Sequence, residues 1–134
     1  MFLKLRAGEK LYINGAVIKM ERKATIELLN DATFLLEGHV IQPEEASTPL
    51  RQLYFVLQTQ LMERSAAPMA RKMFRAMLVD TAAALGEGAV AEALRAAGEL
   101  AESDRVFEAM KAIRALFPLE AELIAVKSRA FIAA

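Results

Sequence analysis

The 134 residues fit one domain, or a small β module and a helical part that share one core. Zero cysteines exclude disulfides and cysteine-ligated metals, and 17 basic residues cancel 17 acidic ones, so binding of nucleic acid requires a local basic patch. The sequence contains neither a run of roughly 20 apolar residues nor the charge order of a signal peptide. We therefore expect a cytoplasmic protein without a membrane segment.

The N-terminal part predicts about five short antiparallel strands. Asn14-Gly15 is typical of a type I′ turn, and alternating or β-branched runs lie on both sides of it. Such a unit forms a small meander or barrel that buries one face only, so it needs the helices or a second copy as a partner. The strand-forming runs are residues 2–6, 11–13, 16–18, 23–28 and 32–36.

Helical periodicity replaces these strands after residue 46. The sequence therefore predicts an α+β fold with an antiparallel β module at residues 1–46 and an all-helical region of about five helices at 47–134. Thr48 is the expected cap of the first helix and Ser103 that of the fourth, while the second starts near Pro68. The third spans about 89–101 and the fifth 119–131. The inward residues expected for the second helix are Met69, Met73, Phe74, Met77, Leu78 and Leu85.

The sequence offers little for catalysis. His39 is the only histidine, and a single histidine makes no catalytic triad, so a structural or surface role is the better interpretation. The carboxylates are scattered without zinc or calcium spacing. We expect a protein that is not an enzyme and that needs neither a metal nor a cofactor.

Two basic groups are candidates for binding nucleic acid. Lys4 and Arg6 share one face of the first strand, opposite Leu3 and Leu5. On the second helix, Arg71, Lys72 and Arg75 form another cluster, with Arg64 shortly before them. A solvated face is the alternative interpretation of the helical cluster.

Two longer motifs resemble the FlbT family of flagellin-expression regulators, and the resemblance covers essentially the whole chain. The motifs are GEKLYINGAVI at residues 8–18 and STPLRQLYF at residues 47–55. The resemblance implies a post-transcriptional regulator that binds the 5′ untranslated region of flagellin mRNA and couples its translation or stability to flagellum assembly. It also implies a functional counterpart of the FlaF type.

Residues 1–41 also resemble the RNA-binding fold of the carbon storage regulator, through apolar-Arg-x-Gly-Glu followed by a hairpin and a late strand near a histidine. That fold is an intertwined homodimer that reads RNA along a strand edge. Carried over by position, Lys4, Leu5 and Arg6 belong to the RNA edge, with His39 on the facing strand. The basic residue that this family has after its last strand is missing here, where Gln42-Pro43 leads into two glutamates.

Two functions follow as rival hypotheses. The first is a homodimeric RNA-binding regulator, which the resemblance and the Lys4/Arg6 strand favour. The second is a protein-binding adaptor of flagellar assembly, which the zero net charge, the apolar content and the methionines of the second helix favour. The salt dependence of RNA binding distinguishes the two, because neutralising phosphates releases counterions.

Overall fold

A computed structural model describes residues 1–133, with side-chain surroundings given through residue 129. Five strands are followed by five α-helices within this part of the chain, which confirms the α+β prediction. Residue 134, the last of the predicted helical region, lies outside the described residues. The strands are β1 (Phe2–Leu5), β2 (Lys10–Ile13), β3 (Ala16–Lys19), β4 (Ala24–Glu27) and β5 (Phe34–Leu36).

The first four strands form one long, bent hairpin around Asn14-Gly15. Both turn residues have positive φ angles, 48° and 84°, as a type I′ turn requires. Ile13 pairs with Ala16 beside the turn, Lys10 pairs with Lys19 at the other end of the same ladder, and Phe2 pairs with Glu27 at the far end, so the register set at the turn runs through both ladders.

A bend interrupts this hairpin and corrects the expectation of a single meander or barrel. The strands form two sheets, β1-β4 and β3-β2-β5. Gly8, at φ 81°, donates its N–H to the carbonyl of Met20 (2.7 Å) at the bend. A left-handed residue at this point lets the outer half of the hairpin change direction.

The β module packs in two directions. Leu3, Leu5 and Leu11 form a small buried cluster between the two sheets. Leu35 of β5 belongs instead to the core of the helices, and Tyr12 of β2 packs against that core. The three-stranded sheet therefore lies between the β1-β4 ribbon and the helical part.

The helices build the larger core, which buries residues from all of α1 to α5 and from the N-terminal part. Thr48 caps the first helix as predicted, because its side chain accepts the N–H of Arg51 (3.3 Å), and Pro49 is the first helical residue. The helices are α1 (Pro49–Met62), α2 (Ala67–Leu85), α3 (Ala89–Glu102), α4 (Val106–Arg114) and α5 (Phe117–Ala133). Three short 3-10 turns occupy Glu37–His39, Pro43–Glu45 and Arg64–Ala66.

Two details of the helix predictions are wrong. Met69 and Met73 are exposed by 66% and 50%, because the smaller Ala70 and the aromatic Phe74 hold the inward positions of α2. Ser103 does not cap α4, which begins at Val106 without a side-chain cap; it ends α3 instead.

Buried polar side chains fasten distant segments together. The Gln58 amide bonds both backbone groups of Ile41, donating to its carbonyl (2.9 Å) and accepting its N–H (2.8 Å). Glu120 of α5 accepts the N–H of Leu50 (2.8 Å) and the hydroxyl of Thr48 at the N-terminus of α1. A carboxylate there also complements the helix dipole.

Candidate nucleic-acid interface

The first strand presents one face to solvent and one to the β-module core. Lys4 is exposed, whereas Leu3 and Leu5 are 7% and 1% exposed. Because the Leu5 side chain is buried, only its backbone is available to a ligand. Among the described strands β1 pairs only with β4, so its other edge carries unpaired backbone groups.

Arg6 follows directly after β1 and is held by the adjacent bend. Its N–H donates to Glu9 Oε1 (2.9 Å), and its guanidinium Nε lies 4.0 Å from the same oxygen. The Arg6 side chain is 87% exposed, so this local pair leaves most of the guanidinium open to solvent. An exposed pair of this kind is weak and leaves Arg6 able to contact a phosphate.

The structure does not bring His39 beside Lys4 and Arg6 within the chain. His39 lies in the 3-10 turn after β5 and not on a strand, which corrects the placement on a facing strand. Its Nδ1 accepts the N–H of Leu36 (3.2 Å), and its ring packs edge-on against Phe107 of α4 at 4.9 Å between centroids. The local bond to Leu36 tightens the chain into a turn and directs the ring to the helices.

The surroundings of His39 favour its neutral form. Burial lowers the pKa of His39, and the nearby charges of Arg114 and Lys111 lower it further. Tyr54 donates its hydroxyl to the His39 carbonyl (2.5 Å), and Arg114 donates to the Gly38 carbonyl (2.8 Å). These contacts give His39 a clear structural role, which is to fasten the β module to α1 and α4.

The hairpin register adds two cations that the sequence interpretation overlooked. Lys10 and Lys19 are direct cross-strand partners, and both are exposed. The Asn14-Gly15 turn already implies this pairing, so the signal was present in the sequence. Residues 1–28 carry twice as many basic residues as acidic ones: Lys4, Arg6, Lys10, Lys19, Arg22 and Lys23 against Glu9, Glu21 and Glu27.

The helical cluster is partly neutralised by a residue distant in sequence. Arg75 makes two hydrogen bonds to Glu102 of α3, at 2.5 and 2.9 Å. The bonds from Arg75 lower the pKa of Glu102. Arg71 and Lys72 remain exposed, and Arg71 lines a crevice together with Arg64. The three cations of α2 therefore do not form one uniform patch.

Comparison with known proteins identifies the family. The family model described as "Flagellar protein FlbT" matches residues 1–124. The chain belongs to the FlbT family. The described part of this FlbT-family chain contains no group of three or more His, Asp or Glu residues placed to hold a metal ion, and none of its described helices is long and apolar enough to cross a membrane.

Curated FlbT relatives match nearly the whole chain. A protein of Brucella anthropi is 49% identical over 126 residues, covering 94% of this chain and 83% of the relative. One of Brucella ovis is 52% identical over 122 residues, covering 91% and 80%. Both are named "Probable flagellum biosynthesis repressor protein FlbT". No solved structure matches the chain.

Proposed function

We propose that this protein represses flagellum biosynthesis by binding the 5′ untranslated region of flagellin mRNA, and that it couples translation or stability of this mRNA to flagellum assembly. The names of relatives that are about half identical support the repressor role. The observation that supports RNA as the target is the excess of basic residues on the bent hairpin, in a chain whose net charge is zero.

The proposed RNA edge consists of the Lys4 and Arg6 side chains and the Leu5 backbone. Exposed cations beside an unpaired strand edge are suited to phosphates, and the backbone N–H and C=O groups are suited to base edges. His39 would join this edge only from a second copy, because its side-chain contacts within the chain are with Leu36 and α4. Arg71 and Lys72 form the second proposed patch. Arg75 contributes less to this patch, because its guanidinium is bonded to Glu102.

Binding of a flagellin leader transcript tests the proposal. The logarithm of the binding constant should fall with the logarithm of salt concentration, with a slope of about −0.7 for each phosphate neutralised in a single strand. Fluorescence anisotropy of a labelled leader across several salt concentrations measures this slope. If the leader RNA does not bind even at low salt, the proposal is wrong.

Paired variants identify the surface. Lys4→Ala with Arg6→Ala should weaken leader binding by about 1 to 3 kcal/mol for each specific contact, with the fold retained because both side chains are exposed. The matched control is Arg71→Ala with Lys72→Ala on α2. If only the α2 variant loses affinity, the strand edge is the wrong site although the function stands.

We also propose a homodimer. The edge of β1 is unpaired, and α5 exposes apolar side chains, with Leu123, Ile124 and Val126 exposed by 43%, 43% and 54%. A dimer would cover such surfaces and would duplicate the RNA edge by its two-fold axis. Light scattering at micromolar concentrations measures the mass, and a monomer contradicts this part of the proposal.

A protein-binding adaptor is the second candidate function. An apolar groove of about 510 Å³ lies between α1, α2 and α5, and Met69 and Met73 are exposed on α2. Flexible methionines are common at surfaces that bind other proteins. The FlaF-type counterpart implied by the family resemblance is the partner to test. RNA binding that is weak and insensitive to salt, together with salt-resistant binding of that protein, favours the adaptor.

A further inference from the structure

The second half of α5 is uncovered in the described part of the chain. Phe117 and Glu120 in the first turn are buried, but every residue from 121 to 129 is exposed. An open groove of about 510 Å³ lies between this half of the helix and α2. Helices in proteins gain most of their stability by packing one face, so a long exposed stretch with large apolar side chains indicates a surface for a partner.

The large apolar side chains form a stripe along α5. Leu119, Leu123 and Val126 are spaced by four and then three residues, which places them on one side of the helix. They are exposed by 43%, 43% and 54%. The same alternation of four and three residues separates the buried positions of a coiled coil. The stripe is therefore suited to contact a second helix.

The charges beside this stripe are divided by sign along the helix. Glu120 and Glu122 come first, and Lys127 and Arg129 follow. No opposite charge lies three or four positions away from Glu122, Lys127 or Arg129, and these residues take part in none of the ion pairs between described residues. Glu120 differs, because its carboxylate already bonds the start of α1. The helix itself thus leaves one acidic and two basic side chains available to a partner.

We infer that α5 forms the dimer interface by pairing with α5 of a second copy in the antiparallel direction. The inference rests on the homodimer proposed above and names its surface. With the two-fold axis between residues 124 and 125, Leu123 lies opposite Val126 of the partner subunit. The same arrangement brings Glu122 beside Arg129 of the partner subunit, and the symmetry forms this ion pair twice.

The order of the charges favours a second copy and this direction. A helix that is acidic in its first half and basic in its second half is complementary to a reversed copy of itself. The helix macrodipoles also attract each other when the two helices run in opposite directions. In a parallel pair, Glu122 would instead meet Lys127 of the partner subunit, and the macrodipoles would lie side by side with the same sign.

Charge exchange in the intact chain tests this pairing. Glu122→Lys places two cations together at both symmetry-related contacts, so the dissociation constant of the dimer should rise about 5- to 30-fold. Arg129→Glu should have a similar effect, and Glu122→Lys with Arg129→Glu should restore the parent value. The matched comparison is Glu122→Lys with Lys127→Glu, which restores only a parallel pair. All three residues are exposed, so folding should be retained, and sedimentation equilibrium measures each constant.

The apolar stripe is tested by a separate variant. Leu123→Gln with Val126→Gln should give a monomer, because polar amides replace the side chains that meet at the interface. Both residues are exposed, so circular dichroism should still show cooperative unfolding of the helical core. Val79→Gln on α2 is the matched control, since Val79 is exposed by 68% and lies outside α5. It should dimerise like the parent.

The outcomes separate this interface from the homodimer itself. If the parent and all α5 variants dimerise equally well, the homodimer stands, but another surface forms it and the inference is wrong. If the parent is a monomer at micromolar concentrations, both proposals fail, and loss of binding to the FlaF-type counterpart in the glutamine variant would assign the stripe to that protein. If only the exchange with Lys127 restores the dimer, the helices are parallel and the antiparallel pairing is wrong.

Discussion

The β module and the helical part differ in how their apolar residues are used. Three leucines are buried between the two sheets, whereas the helical core buries 17 residues, of which Leu35 and Ile41 come from the N-terminal part. The β module therefore depends on the helices for burial and keeps an open strand edge with exposed cations. The β module can keep an open edge because most of the buried apolar surface that stabilises the chain lies in the helical part.

The largest effect that tests this contrast is expected from core truncation. Leu57→Ala, at a site that is 0% exposed, should lower the unfolding free energy toward the upper end of about 2 to 5 kcal/mol, because the surrounding helices cannot close the cavity. Leu5→Ala in the small cluster should fall toward the lower end, since few neighbours constrain it. Urea denaturation measures both, and an equal or larger cost for Leu5→Ala would contradict the contrast.

The junction between the two regions should be nearly as sensitive as the core. Gln58→Leu removes the partners of both the N–H and the carbonyl of Ile41, which is 4% exposed. Each buried group left unpaired should cost about 1 to 3 kcal/mol. Thermal denaturation beside Gln60→Leu gives the comparison, because Gln60 is also buried, at 8% exposed, but its Oε1 has no hydrogen-bond partner among the described residues. Equal stability of the two variants would show that the Gln58 bonds do not hold the junction.

A charge reversal in the β module should act in opposite directions on stability and on binding. Lys19→Glu replaces a like-charged pair with Lys10 by an opposite-charged one, which should stabilise the fold by about 0.2 to 1 kcal/mol. The same change should weaken leader RNA binding, because it removes a cation from the hairpin. A variant that is more stable and binds RNA with unchanged affinity would separate Lys19 from the binding face.

The smallest effect concerns pH at the junction. The pKa of His39 is lowered from the usual 6.5 in the folded state, so the unfolded chain binds the proton more readily. The contribution of His39 to stability is therefore complete above about pH 6.5 and is lost as the pH falls from there through the lower folded pKa. Urea midpoints measured downward from about pH 7.5 should show this loss, and His39→Asn should remove it from that window.

Local chemistry made much of the β module and the helix order predictable. The Asn14-Gly15 turn specifies the hairpin register, and Thr48-Pro49 specifies the start of α1 within a residue. The bend at Gly8 was not predicted, because its positive φ matters only once the two sheets pack on each other. Alternation along the strands shows which side chains share a face, but it does not show where a ribbon folds over.

The candidate site was less predictable, because residues distant in sequence pair with some of its charged side chains and pack against others. Arg75 lacks an acidic neighbour in sequence, yet Glu102 reaches it from α3. His39 follows a strand, yet its bond to Leu36 forms a turn and its ring packs on Phe107. Gln58 and Gln60 lie on the same helix and are both buried, yet only the amide of Gln58 bonds Ile41, and no sequence pattern distinguishes the two glutamines.

The hydrogen bond from the Leu50 N–H to the Glu120 carboxylate links residues 70 positions apart. This backbone amide therefore reports whether α5 is docked against α1. The Leu50 N–H is in the first turn of α1, where no helical carbonyl can accept it. Its protection from hydrogen exchange therefore depends on the docking of α5 and not on the α1 helix itself. If α5 detaches as a separate unit, Leu50 will exchange faster than the interior amides of α1, and the exchange rate will give the free energy of that opening.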